Sequence, residues 1–149
     1  SIDAVTPDTF KYVRTGDFMQ VSDNVDRWQE SSTVETFANP TFSSLNMWDC
    51  DRILKTLGQR FGITNVGWNW VEGPARYNAV HMPENIKNHI KSSSQYFHSR
   101  KLIPQLWSSP RDEAHWQDFL TRTEWLDKSR KQPMKKFMPE LHDLINKTK

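Results

Sequence analysis

The stretch "SSLNMWDCDRILKTLGQRFGITNVGWNWV", residues 43–71, decides how the chain is read. Met47, Cys50, Ile53, Leu54, Leu57 and Phe61 recur at helical spacing, so one face of a helix is apolar. Asn46 stands where an N-cap belongs, and Gly62 where the helix must stop. Past Gly62 the period changes to two. Ile63, Asn65, Gly67 and Asn69 alternate with Thr64, Val66, Trp68 and Trp70, which predicts a strand, and "EGPARYN" after it reads as a loop. Upstream, in "TVETFANPTF", Val34 and Thr36 alternate with Glu35 and Phe37 and predict another strand, ending near Asn39-Pro40. Alternating strands and helices imply right-handed βαβ units and a parallel sheet.

Working outward, Ser1-Ile2-Asp3 reads as the end of a further strand. Thr6 is an N-cap, with Pro7 at the first helical position and Asp8 in the first turn. That helix carries Phe10 and Val13 to Arg14, and Thr15-Gly16 breaks it. Phe18, Val21, Val25 and Trp28 mark one face of a second helix. From Pro83 onward no strand is evident. "PENIKNHIKSSSQYFHSR" reads as a helix. "SSPRDEAHWQDFLTRTEWLDKSR" reads as another, with Trp116, Phe119, Leu120 and Thr123 on one face, and "PELHDLINK" closes the chain with Leu141, Leu144 and Ile145.

The expected fold class is therefore α/β: an incomplete parallel (β/α) barrel of about three strands over residues 1–82, followed by a mainly helical extension, 83–149, packed on it. Three parallel strands are few for such a chain, because a parallel sheet is normally covered on both faces. With no initiator Met, "SIDAVTPDTFKYVRTGDF" reads like the middle of a protein, and the missing half of the barrel is expected before Ser1. The open sheet edge then predicts self-association or poor solubility.

Composition narrows the class of protein. The 149 residues suffice to bury a core, and the 12% aromatic content argues against disorder. A single Cys excludes a disulfide framework and any Cys-only zinc or iron–sulfur site within this chain. No apolar run approaches a membrane span and no signal peptide is evident, so a cytoplasmic protein is expected. A net charge of +2 is too balanced to imply nucleic acid by itself. The five His residues lack metal-ligand spacing, and the seven Trp, spread over different elements, read as packing residues rather than stacking platforms. "KSRKQPMKK" places Lys128, Arg130, Lys131, Lys135 and Lys136 together, a solvated helix end or a weak phosphate-binding patch.

Several segments carry a family resemblance. "SIDAVTPDTFKYVRTGDFMQVSDNVDRW" resembles the fourth-strand region of radical S-adenosylmethionine (SAM) enzymes. "TFSSLN" with the helix behind it resembles the next strand-to-helix corner, and "GWNWVEGPARYNAVHMPENIK" the following strand and its loop. "FLTRTEWLDKSRKQPMKKFMPELHDLI" resembles the tail of the twitch-type members. The CxxxCxxC loop that holds the family's [4Fe–4S] cluster is absent, so the resemblance implies that the cluster belongs to a parent protein and not to this chain.

Ligands of α/β sheets gather at the carboxyl ends of strands, which by itself singles out Ser1–Asp3, Thr41–Asn46 and Trp70–Arg76. The resemblance adds roles. Ser1 would hydrogen-bond the SAM amino-acid or ribose moiety, with a frayed chain end as the plain alternative. Asp3 is a ligand contact or a loop residue. Arg14 would pair with the SAM carboxylate, for which a guanidinium fork is suited, or would simply favour a helix C-terminus. Leu45 would touch the adenine, and Asn46 would bind ligand or cap its helix. Glu72, Arg76, Tyr77 and Asn78 would face substrate, or form a solvated loop. No residue is expected to be catalytic or to ligate a metal. The implied function is part of the SAM-binding and substrate-facing wall of a radical SAM iron–sulfur enzyme, inactive alone. The alternative is a non-enzymatic module binding protein or nucleic acid through its sheet edge or basic C-terminal segment. A stand-alone hydrolase has little support, since no Ser-elbow motif, reactive-looking Cys or paired-carboxylate signature is present.

Overall fold

Helix starts follow the capping chemistry of the sequence. The Thr9 N–H donates to Thr6 Oγ1 at 3.4 Å and begins α1 (Pro7–Arg14). The Met19 N–H donates to Asp17 Oδ1 at 2.8 Å and begins α2 (Phe18–Glu30). The structure, a computed structural model, describes residues 2–31 and 35–147. Ser1, and Val34 of the expected upstream strand, lie outside the described residues.

The apolar stripe of residues 47–61 forms a 3-10 turn (Met47–Asp49), α3 (Cys50–Lys55) and a π-type turn (Thr56–Arg60), and Gly62 ends it with φ of 64°. Met47, Cys50, Ile53, Leu54, Leu57 and Phe61 are all buried. Six residues of helix have no stability of their own in water, so this packing holds α3 in place. The remainder is α4 (Glu84–Ser93), α5 (Phe97–Leu102), α6 (Glu113–Arg130), α7 (Met134–Phe137) and α8 (Pro139–Asn146). The helix expected from Pro83 to Arg100 is thus two helices. They separate near Ser94, where Asp51 Oδ1 accepts the N–H groups of Gln95 and Tyr96 at 2.8 and 2.7 Å.

The expected barrel of about three parallel strands is not formed. The chain is mostly helical, and among the described residues the sheet has two strands, β1 (Thr41–Phe42) and β2 (Asn69–Trp70), paired in parallel. An isolated bridge, Ala38 to Val66, extends the same register. Two causes are visible. Pro40 has no N–H, so the rung between Ala38 and Phe42 lacks its donor, although the Pro40 carbonyl still accepts from Asn69 at 2.8 Å. The other edge of β1 is closed by side chains instead of a strand. Asp3 Oδ1 accepts the Thr41 N–H at 2.7 Å, and Asn46 Oδ1 accepts the Ser43 N–H at 2.7 Å. Asn46 Nδ2 donates to the carbonyls of Asp3 and Thr41 at 2.8 and 2.9 Å. Ile2–Val5 is buried beside β1 but joins no ladder.

One apolar cluster contains Ile2, Phe10, Ile53, Ile86, Phe119 and Ile145, so residues on both sides of position 82 share it. Trp116 is buried as expected, but Trp28, Trp107 and Trp125 are exposed rather than packed in the core. No helix among the described residues is long and apolar enough to cross a membrane.

Candidate functional site

The side chains that close the β1 edge also wall a cleft of about 300 Å³. Asp3, Arg14, Leu45, Asn46 and Tyr77 line it, together with Thr41 and Ser43. Four of the five residues expected to bind cofactor therefore meet at one place, although they come from three separate stretches; the fifth, Ser1, is outside the described residues. Arg14 reaches the cleft from the last turn of α1, and its Nη1 lies 3.1 Å from Asp3 Oδ2. The Arg14 side chain is 48% exposed and that of Asp3 only 5%. A guanidinium has five N–H donors, so a pairing through Nη1 orients the fork without exhausting it. Asn46 is fully buried and committed to backbone partners, and it makes no side-chain cap on the turn behind it. It shapes the floor of the cleft by holding Asp3, Thr41 and Ser43 together. Leu45 is half-buried against the core, with its backbone N–H on Ser43 Oγ at 3.2 Å.

The loop after β2 divides. Tyr77, in a 3-10 turn (Ala75–Tyr77), lines the cleft and meets the Phe119 ring edge-on at 6.2 Å. Its carbonyl accepts the Ser44 N–H at 2.8 Å, which ties the loop to β1's end. Arg76 turns instead to Asp118 on α6 at 3.3 Å, and its Nε is buried with no hydrogen-bond partner among the described residues. Asn78 is spent locally: its Oδ1 accepts from Trp70 Nε1 at 2.8 Å and from the Val80 N–H at 3.1 Å. Glu72 is exposed and does not line the cleft. Val71, Gly73 and Pro74, from the strand-end stretch Trp70–Arg76, complete the wall with Val13, which the sequence placed only on a helix face.

The residues present do not fit an iron–sulfur cluster. Cys50 is the one Cys of the chain and is fully buried, with its Sγ 3.8 Å from Ser94 Oγ. Burial pushes its thiol up to about 12, the opposite of what a thiolate ligand needs. Among the described residues no group of three or more His, Cys, Asp or Glu is placed to hold a metal ion.

A second, larger cleft of about 600 Å³ lies on the outer side of α3, lined by Trp48, Asp49, Arg52, His89, Glu140 and Asp143 among others. Arg52 spans it, with Nε on Asp49 Oδ1 at 2.6 Å and Nη2 on Glu140 Oε2 at 2.7 Å. Burial raises the Asp49 carboxyl to about 6, against the opposing pull of Arg52, and its Oδ2 is buried without a hydrogen-bond partner among the described residues. The sequence held one signal: Asp49 precedes Ile53 by four positions, which puts a carboxylate on the buried face of the stripe. No family model matches the chain, no curated protein matches it, and no solved structure matches it.

Proposed function

We propose that the cleft between Arg14 and Tyr77 binds the amino-acid end of S-adenosylmethionine, and that this chain supplies part of the SAM-binding wall of a radical SAM iron–sulfur protein. The observation that carries the reading is the convergence of Asp3, Arg14, Leu45 and Asn46 on one cleft. The roles follow from their chemistry. Arg14 takes the ligand carboxylate through a charge-assisted fork. Asp3, itself fixed by the Thr41 N–H, holds Arg14 in position. Leu45 and Val71 offer apolar contact, and Tyr77 closes the far side. The sulfonium ligand would supply the reactive group. This chain binds and orients it, and holds no cluster to cleave it.

Calorimetric titration of the full chain with S-adenosylmethionine and with its carboxyl methyl ester tests the assignment. The expected result is binding of the acid and at least ten-fold weaker binding of the ester, because a hydrogen bond to a charged group contributes about 1.5–3 kcal/mol. Equal affinity for the two, or no heat with either, would overturn it.

A further inference from the structure

The end of α6 and the helix that follows it form a basic surface. Residues 122–136 carry six Lys or Arg and two acidic residues, whereas the whole chain carries 20 and 18, so the remainder is net acidic. Both acids are already engaged. Glu124 pairs with Lys128 at 2.7 Å, while Asp127 accepts from Tyr12 Oη at 2.6 Å and from the Met134 N–H at 2.7 Å. Lys131, Lys135 and Lys136 are exposed and make no ion pair among the described residues. Tyr12 and Phe137 pack α1 against α7, with ring centroids 6.4 Å apart.

An aromatic ring stands in this basic surface. Trp125 is 52% exposed, and the Arg122 guanidinium lies 3.9 Å from its ring centroid. Lys128 follows three residues later on the same helix face, and Lys131 stands about 9 Å further along the axis than Trp125. The Trp125 indole stands half in water at the helix surface. With a cation at one side and further cations along the helix, it has the makings of a stacking platform for an unpaired base, with lysines for the phosphates on either side. An acidic peptide would use the charges but not the ring, and a duplex would hide its base faces.

We propose that the α6–α7 surface, with Trp125 as the platform and Lys131, Lys135 and Lys136 as phosphate contacts, binds single-stranded nucleic acid without base specificity. Anisotropy of a fluorescein-labelled 20-nucleotide oligothymidylate, titrated with the full chain from 20 to 200 mM KCl, is the test. Binding is expected at 20 mM salt, with a log–log salt slope of about −2 to −3, since each single-strand phosphate contributes roughly −0.7. The triple variant K131E/K135E/K136E should lose at least ten-fold. Trp125→Ala should lose roughly five-fold or more with the slope unchanged, and Trp125→Tyr should regain most of that loss. Circular dichroism of each variant should match the parent, because all of these side chains are exposed. No anisotropy change at 20 mM salt, full affinity in Trp125→Ala, or tighter binding to a duplex or to polyglutamate than to the single strand would overturn the proposal.

Discussion

Asp49 shows how one buried residue sets a pH response. Its folded pKa, about 6, lies above the ordinary 3.8 because burial penalises the carboxylate. The folded state therefore holds the proton more tightly between those values. The associated stability is fully present below about pH 4 and is lost as pH rises through 6. Relative to Asp49→Asn, the parent should gain up to about 3 kcal/mol between pH 7 and pH 4, measured by urea unfolding at each pH; a constant difference would remove the assignment. Asn46 tests the closed sheet edge. Asn46→Ala strands the Ser43 N–H and the carbonyls of Asp3 and Thr41, and a loss of about 2–4 kcal/mol is expected. Cys50 should be silent to thiol reagents in the folded protein and should titrate as one thiol after denaturation.

At the scale of elements, the π-type turn Thr56–Arg60 depends on a close approach. A Cβ on Gly58 would collide with Tyr96 Oη, so Gly58→Ala should cost about 1–3 kcal/mol, and adding Tyr96→Phe should recover much of that loss. Non-additivity in the double variant is the readout. The helices were legible because their signals are local. Thr6-Pro7-Asp8 announces α1, and the stripe from Met47 to Phe61 is buried at each expected position. The strands were less legible: the upstream one was expected to end near Pro40, and β1 begins just after it, at Thr41. Alternation at Val66, Trp68 and Trp70 matches a real parallel pairing, but its extent depends on the missing donor of Pro40 and on two side chains, Asp3 and Asn46, that take the hydrogen bonds a third strand would have made. Those side-chain bonds span up to 43 positions, and no local pattern reports them.

At the scale of the whole molecule, the cleft was partly legible for a different reason. Leu45 and Asn46 follow the end of β1, and Asp3, though in no strand, is tied to the same place by the Thr41 N–H and by Asn46, so the three converge even though the barrel does not form. The loop after β2 was not legible, because Arg76 is drawn away by Asp118, which lies 42 positions downstream on α6. The cleft around Asp49 went unseen for the same cause, since its wall is completed by Glu140 and Asp143 on the last helix. The central claim concerns the first cleft, and heteronuclear NMR of the labelled full chain tests it most directly, even for weak binding. On addition of S-adenosylmethionine, amide shifts should concentrate at Thr41, Ser43, Leu45, Asn46, Val71, Gly73 and Tyr77, and Arg14→Ala should weaken the response ten-fold or more. Shifts elsewhere with this set unmoved, or an undiminished response in Arg14→Ala, would contradict the account.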